Sequence, residues 1–254
     1  MVALIWLDPG DPFPATTEVL DDPPGLLAAG ADLSPDTLIR AYSQGIFPWF
    51  SEGEPILWWS LSPRMVLPPE QFHLSRSLKK SLRHTPFDVA IDQQFEQVVR
   101  HCAETPRDGQ PGTWITEEMQ AAYSRLHQLG HAHSVEISLN GTLVGGLYGV
   151  CLGRVFFGES MFSHHNNASK AALQALCLLA QPLNLALIDC QMQTDHLASL
   201  GATTMSREAF EQRLAELVGN PALDQTEATS PWPRSPMSLA SLTGEYRLEI
   251  SEQH

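Results

Sequence analysis

A segment that is apolar on nearly every side, residues 168–179, constrains this fold more than any other feature of the sequence. Its spacing favours a helix, and a helix without a polar face has to be buried. A second apolar run, residues 185–190, follows it and is typical of a buried strand. Together they predict an interior in which a helix packs against a sheet.

Two long alternating segments, residues 132–139 and 142–151, flank the dipeptide Asn140-Gly141. Asn-Gly between such segments is the strongest short signal for a β-hairpin, because the tight turn needs positive φ values that these residues tolerate. A further strand is predicted over residues 154–157. Since strands mix with capped helices throughout this half of the chain, we expect an α+β or mixed α/β fold.

The first part of the chain has a different character. Five prolines within residues 9–24 interrupt regular structure there. An aromatic run over residues 45–50 and the adjacent Trp58 and Trp59 follow, and both are too apolar for a linker. We therefore expect a small N-terminal domain over residues 1–62.

The rest of the chain divides by composition. Residues 63–219 carry the mixed α/β pattern and are expected to form the larger domain. Pro, Ser and Thr dominate residues 220–254, so most of this tail is expected to be poorly ordered. The alternation of Tyr246, Leu248 and Ile250 suggests one last strand within it.

The net charge of −14, from 15 basic and 29 acidic residues, argues against non-specific coating of nucleic acid. One segment departs from this average, because a third of the basic residues lie within residues 64–83. They are Arg64, Arg76, Lys79, Lys80 and Arg83. A local basic patch suggests an anionic partner, although a solvated helix face is the commoner origin of such a run.

The four cysteines, Cys102, Cys151, Cys177 and Cys190, are widely spaced, which argues against a disulfide framework and against a cysteine-based zinc site. No window approaches the roughly 18 to 20 apolar residues of a membrane span. The first ten residues lack the features of a secretion signal. We therefore expect a cytoplasmic protein with no membrane association and no bound metal.

Two acidic residues are the main candidates for chemistry. Glu159 lies among large apolar residues, where a carboxyl group is costly to bury unless it has a partner or a function. Asp189 ends a buried strand, and Gln191 shares its face if the chain stays extended. A general base beside a positioning amide is one interpretation of this pair. The alternatives are a capping or ion-paired role for Glu159 and a helix N-cap or turn role for Asp189.

Eight segments, in the same order along the chain, resemble bacterial leucyl/phenylalanyl-tRNA–protein transferases. They read GADLS at 30–34, GIFPWF at 45–50, PILWWS at 55–60, GTWIT at 112–116, FGESMFS at 157–163, NASK at 167–170, LIDCQ at 187–191 and DHLASLG at 195–201. The resemblance covers about residues 1–217. So many motifs in register are far more specific than any one of them.

The resemblance implies transfer of leucine or phenylalanine, and of methionine more weakly, from charged tRNA to the N-terminal Arg or Lys of a protein. That product is marked for degradation by the N-end rule pathway. The resemblance also implies that the larger domain has the acyl-CoA N-acyltransferase fold. An aminoacyl ester is already activated, so neither a cofactor nor a metal is expected. We expect the protein to be a monomer.

The resemblance further implies roles for individual residues of this chain. The catalytic positions would be Asp189, Gln191 and Glu159. The pocket for the transferred side chain would be formed by Leu147, Phe156, Met161, Leu173, Leu176 and Ile188. Trp49 and Trp114 would surround the terminal adenosine, and the acceptor stem of the tRNA would meet Arg76, Lys79, Lys80 and Arg83.

Two other functions fit parts of the sequence. A CoA-dependent N-acetyltransferase of the same fold would hold a pyrophosphate with a glycine-rich turn at a helix N-terminus. No such turn precedes the helix that begins near Asn167. A non-catalytic RNA-binding module would use the basic helix and the tryptophan loop, but it would leave Glu159, Asp189 and Gln191 without a role.

Overall fold

The computed structural model describes residues 3–105, 114–219, 232–233 and 235–243. Its N-terminal elements are β1 (Ile5–Leu7), a 3-10 turn (Thr16–Glu18), β2 (Leu26–Gly30), α1 (Pro35–Ser43), β3 (Phe47–Pro48) and β4 (Leu57–Trp59). The four strands form a small sheet in the order β1-β2-β4-β3. Helix α1 begins directly after Ser34, whose side chain accepts a hydrogen bond from the Thr37 N–H and so caps the helix.

The rest of the described chain builds one larger sheet with helices on both sides. Its elements are β5 (Arg64–Leu67), a 3-10 turn (Pro69–Gln71), α2 (Arg76–His84), β6 (Asp88–Ile91), α3 (Phe95–Glu104), α4 (Glu117–Gln128), β7 (Ala132–Leu139), β8 (Thr142–Leu152), β9 (Val155–Ser163), α5 (Ala168–Leu179), β10 (Leu187–Gln191), α6 (Asp195–Ala198), β11 (Thr203–Met205), α7 (Arg207–Val218) and β12 (Met237–Ser238). The eight strands lie in the order β11-β5-β10-β9-β8-β7-β6-β12. The expected mixture of helices and strands is confirmed.

β9 and β10 are the one parallel pair in this sheet among the described residues, and the other neighbours run antiparallel. A parallel pair needs a crossover connection, and α5 lies within it. α5 is buried along most of its length, as its all-round apolar sequence predicted. Neither α5 nor any other helix in the described ranges is long and apolar enough to cross a membrane.

Close packing of α5 against the sheet depends on a glycine. A Cβ atom added to Gly145 of β8 would lie 2.4 Å from the Cβ of Ala168, at the start of the helix. Any side chain at this position would therefore push α5 away from the sheet. Gly145 thus allows a close approach between β8 and α5.

Apolar clusters cover both faces of the large sheet. One cluster contains Phe157 of β9 together with Trp58 of the N-terminal sheet and Phe210 of α7. The other contains the next residue along the chain, Phe156, together with Leu176 of α5. Because adjacent strand residues point to opposite faces, the first face is covered in part by the N-terminal region. Residues from both sides of position 62 therefore share one core.

The C-terminal segment packs against the large domain where it is described, at residues 232–233 and 235–243. The expectation for most of residues 220–254 stays a prediction. Trp232 is buried and stacks on His133 at a centroid distance of 4.1 Å, and β12 pairs with β6. Trp, Leu and Met residues within the Pro- and Ser-rich composition supply this packing. The suggested strand at residues 246–250 lies outside the described residues.

Strand β9 is longer than its predicted version. The sequence predicted a strand over residues 154–157, whereas β9 continues through Glu159 to Ser163. Ser160 lies inside this continuous strand, opposite Tyr148 of β8.

Candidate active site

A cavity of about 430 Å³ lies where the N-terminal region meets strands β8, β9 and β10. All eleven residues assigned to the catalytic centre, the side-chain pocket and the adenosine contribute to its lining. They are Leu147, Phe156, Glu159, Met161, Leu173, Leu176, Ile188, Asp189, Gln191, Trp49 and Trp114. Its volume falls in the range of about 300–1,000 Å³ that is usual for small-molecule sites.

The apolar part of the cavity follows directly from the strand register. Leu147 of β8 lies opposite Met161 of β9, and Phe156 of β9 lies beside Ile188 of β10. Alternate residues of these strands point to the side where α5 packs. Leu176, at 0% exposure, closes this side from the helix.

Glu159 lies at the polar end of the cavity and accepts hydrogen bonds from three side chains. The hydroxyl of Tyr42 donates to its Oε1 at 2.8 Å, and the hydroxyl of Tyr123 donates to its Oε2 at 2.5 Å. The amide Nε2 of Gln191 donates to Oε1 at 3.0 Å. Burial raises the pKa of Glu159 to about 7, although the tyrosine hydrogen bonds oppose that shift.

A count of protons agrees with this direction. The hydroxyl oxygens of Tyr42 and Tyr123 lie 2.7 Å apart, so the two tyrosines and Glu159 form a ring of three hydrogen bonds. Two hydroxyl groups supply only two protons for three bonds. A neutral Glu159 supplies the third by donating to one of the tyrosines, whereas the ionised carboxylate accepts from both and leaves the contact between the tyrosines without a proton.

The two tyrosines were not identified as site residues from the sequence. Nothing in the sequences of α1 and α4 distinguishes Tyr42 or Tyr123 from an ordinary core residue. Burial raises both hydroxyl pKa values well above the usual value, and the nearby Glu159 raises them further. Both therefore remain protonated donors at neutral pH.

Asp189 has a different environment from the one that the sequence suggested. It is at 0% exposure, and its Oδ1 and Oδ2 accept hydrogen bonds from Nε and Nη2 of Arg64 at 2.9 and 2.6 Å. Its Oδ1 also accepts the backbone N–H of Gln191 at 2.9 Å. Both oxygens of this carboxylate are therefore occupied within the protein.

Asp189 and Gln191 were expected to share one face of the strand, but a bulge in β10 separates their side chains. The pairing with β5 shifts between these two residues, and Gln191 has a positive φ of 59°. The chain is therefore not extended there, and alternation no longer places the two side chains together. Asp189 bonds Arg64, while the Gln191 side chain bonds Glu159.

Trp49 and Trp114 form the aromatic wall of the cavity. The rings of Trp49 and Trp59 are tilted at a centroid distance of 5.4 Å, and the indole N–H of Trp59 donates to the Trp49 carbonyl oxygen at 2.7 Å. Trp114, half-buried, also lines the cavity. Trp58 is fully buried and donates to the carbonyl of Gly30, so it belongs to the core.

The basic segment of residues 64–83 separates into two groups. Arg76, Lys79, Lys80 and Arg83 are exposed on α2 and do not line the cavity. Arg64 is completely buried against Asp189, so its inclusion in a surface patch was wrong. Sequence spacing cannot separate a paired arginine at a strand start from solvated basic residues on the next helix.

Comparison with known proteins identifies the family. A model described as leucyl/phenylalanyl-tRNA protein transferase matches residues 66–215, and one for the N-terminal domain of the same family matches residues 31–62. A solved structure, that of L-PGS from Bacillus licheniformis, has 8% sequence identity and a TM-score of 0.36, and it covers 74% of this chain and 63% of that chain.

Curated relatives agree with the family models. The leucyl/phenylalanyl-tRNA–protein transferase of Alcanivorax borkumensis is 55% identical over 90% of this chain and 92% of that protein. Those of Cupriavidus metallidurans and Chromobacterium violaceum are 49% and 54% identical, over 97% and 87% of this chain and 100% and 94% of those proteins. The chain belongs to the leucyl/phenylalanyl-tRNA–protein transferase family.

Proposed function

We propose that this protein is an aminoacyltransferase that moves leucine or phenylalanine from charged tRNA to the N-terminal amine of an acceptor protein. The relatives named above carry this activity in their names, and the chain covers at least 92% of each. The observation that carries the proposal is the cavity, which joins an apolar pocket to a buried, hydrogen-bonded carboxyl group. Neither an N-acetyltransferase nor a non-catalytic RNA-binding module is favoured by any of these observations.

The reaction is the aminolysis of an ester. The nitrogen of the acceptor amine attacks the ester carbonyl carbon, a C–N bond forms, and the C–O bond to the ribose of the terminal adenosine breaks. The amine loses one proton and the ribose oxygen gains one. Because the ester is already activated, the protein has to position two substrates and transfer a proton.

Glu159 is the group best suited to exchange that proton. It lines the cavity, and a pKa of about 7 lets it hold or release a proton near neutral pH. Gln191 would orient the amine beside it, since its amide bonds the same carboxyl oxygen. Asp189 acts as a positioning residue in this scheme, because both of its oxygens already accept hydrogen bonds from Arg64.

The aromatic wall and helix α2 would bind the tRNA. Trp49 and Trp114 offer faces on which the terminal adenine can stack, a contact worth about 1–3 kcal/mol. Arg76, Lys79, Lys80 and Arg83 would contact phosphates of the acceptor stem from outside the cavity. A few such contacts suffice for one RNA end, which is compatible with a net charge of −14.

The apolar pocket would select large apolar amino acids only loosely. Such pockets discriminate by about 1–3 kcal/mol per methylene group, so leucine, phenylalanine and, more weakly, methionine fit the proposal. The acceptor would begin with Arg or Lys, whose positive charge suits an acidic protein. The transferred residue would mark that acceptor for degradation.

Three broader expectations belong to the same proposal. The mixed sheet, whose described strands include one parallel pair beside the cavity, supports a likeness of the large domain to the acyl-CoA N-acyltransferase fold. An enzyme that uses charged tRNA would act in the cytoplasm, where that substrate is made. A monomer as the active form is the third expectation.

A three-arm assay tests the function. The purified chain is incubated with a peptide that begins with Arg, and with leucyl-tRNA, acetyl-CoA or uncharged tRNA. We expect only the leucyl-tRNA arm to modify the α-amine, and an Nα-acetylated copy of the peptide to remain unmodified. Modification in the acetyl-CoA arm, or tRNA binding without modification in any arm, would contradict the proposal.

A further inference from the structure

We infer that Arg64 is a positioning residue for aminoacyl transfer, an inference that rests on the function proposed above. Arg64 begins β5 and does not line the cavity. It ties the end of β10, which carries Asp189, to the N-terminal wall of the cavity, residues 47–49. The buried side chain of Arg64 therefore sets the distance between the aromatic wall and the polar end of the cavity, where Glu159 and Gln191 lie.

The first half of this connection is a two-point ion pair. The Nε and Nη2 atoms of Arg64 bond separate oxygens of Asp189 at 2.9 and 2.6 Å, and both side chains are at 0% exposure. A bidentate pair fixes orientation as well as distance, because the planar guanidinium matches the planar carboxylate. Asp189 can therefore not rotate without breaking one of these bonds.

Asp189 in turn stabilises the bulge that orients the side chain of Gln191. The backbone N–H of Gln191 donates to Asp189 Oδ1, and Gln191 has a φ of 59°. A non-glycine residue with this conformation persists only where its surroundings hold it. The side-chain amide of Gln191 then reaches Glu159 at 3.0 Å. The geometry of the polar end thus depends on a carboxylate that Arg64 keeps in place.

The second half of the connection reaches the N-terminal region. Nη1 of Arg64 donates to the carbonyl oxygen of Gly45 at 3.2 Å. The guanidinium also lies between two aromatic rings, 4.8 Å from the centroid of Phe47 and 4.7 Å from that of Phe210. Gly45 and Phe47 lead directly into Trp49, so the same guanidinium anchors the aromatic wall.

A contribution to stability alone does not explain why an arginine is buried at this position. A buried ion pair can often be replaced by apolar side chains without loss of stability, because desolvation offsets much of the attraction. An arginine that bonds two separate parts of the chain and lies over two aromatic rings defines a unique geometry. That geometry is what aminolysis requires, since a misplacement of 1 Å can cost about 10²-fold in rate.

The test compares Arg64→Lys with Arg207→Lys, a matched control. Arg207 also joins the two regions, through bonds from Nη2 and Nε to Ser60, but it lies outside the cavity. A lysine at position 64 keeps the charge and loses the two-point contact. We expect its kcat for leucyl transfer, per folded molecule, to fall about tenfold to a hundredfold, with a higher KM for leucyl-adenosine.

Hydrogen exchange provides a readout that general destabilisation would not reproduce. In Arg64→Lys the backbone amide of Gln191 should exchange faster, and in Arg207→Lys it should exchange as in the parent. Parent-like kcat and exchange in Arg64→Lys, or equal losses in both variants, would overturn the inference. A parent chain that transfers nothing would instead contradict the proposed function.

A second variant keeps the test decisive if Arg64→Lys does not fold. The pair Arg64→Gln with Asp189→Asn removes both charges together, so no uncompensated charge stays buried. We expect this folded protein to transfer at least about tenfold more slowly than the parent. Transfer at the parent rate by the neutral pair would overturn the inference.

Discussion

Glu159 is buried among three hydrogen-bond donors, and its pKa near 7 places a change of charge within the physiological range. The sequence indicated this residue through its apolar neighbours. It could not indicate Tyr42 and Tyr123, which come from other elements, because contacts between distant residues leave no local pattern. Arg64 and the bulge at Gln191 were missed for the same reason.

The pH dependence of transfer tests the role of Glu159. Below about pH 7 its carboxyl group is neutral, and above it the carboxylate can accept a proton from the amine. The transfer rate should therefore rise as pH passes 7. In Glu159→Gln this inflection should disappear and the rate should fall at least about 10²-fold, measured with leucyl-adenosine.

Glu136 provides the matched control for that measurement. Burial also raises its pKa to about 7, but it bonds Ser134 and does not line the cavity. The pH profile of folded Glu136→Gln should keep the inflection near 7. The titration of the acceptor amine near pH 8 should persist in all variants. An unchanged profile in Glu159→Gln would exclude Glu159 as the proton acceptor.

Among the elements, helices and strands with a complete local pattern were predicted well. The burial of α5 follows from local composition, and the hairpin at Asn140-Gly141 follows from residues that favour particular backbone angles. The end of β9 was predicted too early, because Gly158 and Glu159 interrupt its apolar run. Its true length depends on pairing with β8, which the sequence of β9 alone does not contain.

Helix α2 carries a prediction about RNA. Lys79→Glu with Lys80→Glu should weaken tRNA binding and flatten its dependence on salt, because fewer phosphates are neutralised. Transfer from leucyl-adenosine should stay unchanged, since that donor has no acceptor stem. Arg125→Glu with Arg213→Glu, exposed on other helices, makes the same change in net charge and serves as control. Equal salt slopes in both double variants would mean that α2 is an ordinary solvated helix face and does not contact the tRNA.

Helix α5 carries a prediction about selectivity. Leu176→Ala enlarges the pocket, so leucine should lose more contact than phenylalanine, which can fill part of the new space. Leu179→Ala removes a buried leucine from the same helix outside the cavity. Both variants should lose about 2–5 kcal/mol of stability, but only Leu176→Ala should change the ratio of leucine to phenylalanine transfer. An unchanged ratio would mean that Leu176 does not contact the bound amino acid.

For the whole molecule, composition predicted two regions and a tail, but it could not predict how they pack together. The N-terminal sheet shares a core with the large domain, and the C-terminal segment covers part of the second cluster. Such packing depends on a few large residues, and isolated ones such as Trp232 carry little weight in a composition average. The division at residues 62 and 219 stays a prediction about independent folding.

The packing of the C-terminal segment predicts a loss of stability on truncation of its main anchor. Trp232→Ala should lower the free energy of unfolding by about 3–5 kcal/mol, because its buried ring contacts His133 and lies near Phe156. Trp6, which is 65% exposed, is the matched control, and Trp6→Ala should change stability by less than about 1 kcal/mol. Urea unfolding measures both, and equal small losses would mean that the segment contributes little.

In the proposed reaction, this one cavity binds the aminoacyl group and the terminal adenosine while the amine attacks. Single-turnover transfer from leucyl-adenosine to a peptide that begins with Arg tests this most directly, because that donor contains only what the cavity has to hold. We predict that leucine is joined to the α-amine of the peptide, with a higher KM than for leucyl-tRNA. Transfer from leucyl-tRNA with none from saturating leucyl-adenosine would mean that the cavity alone does not hold the donor for reaction.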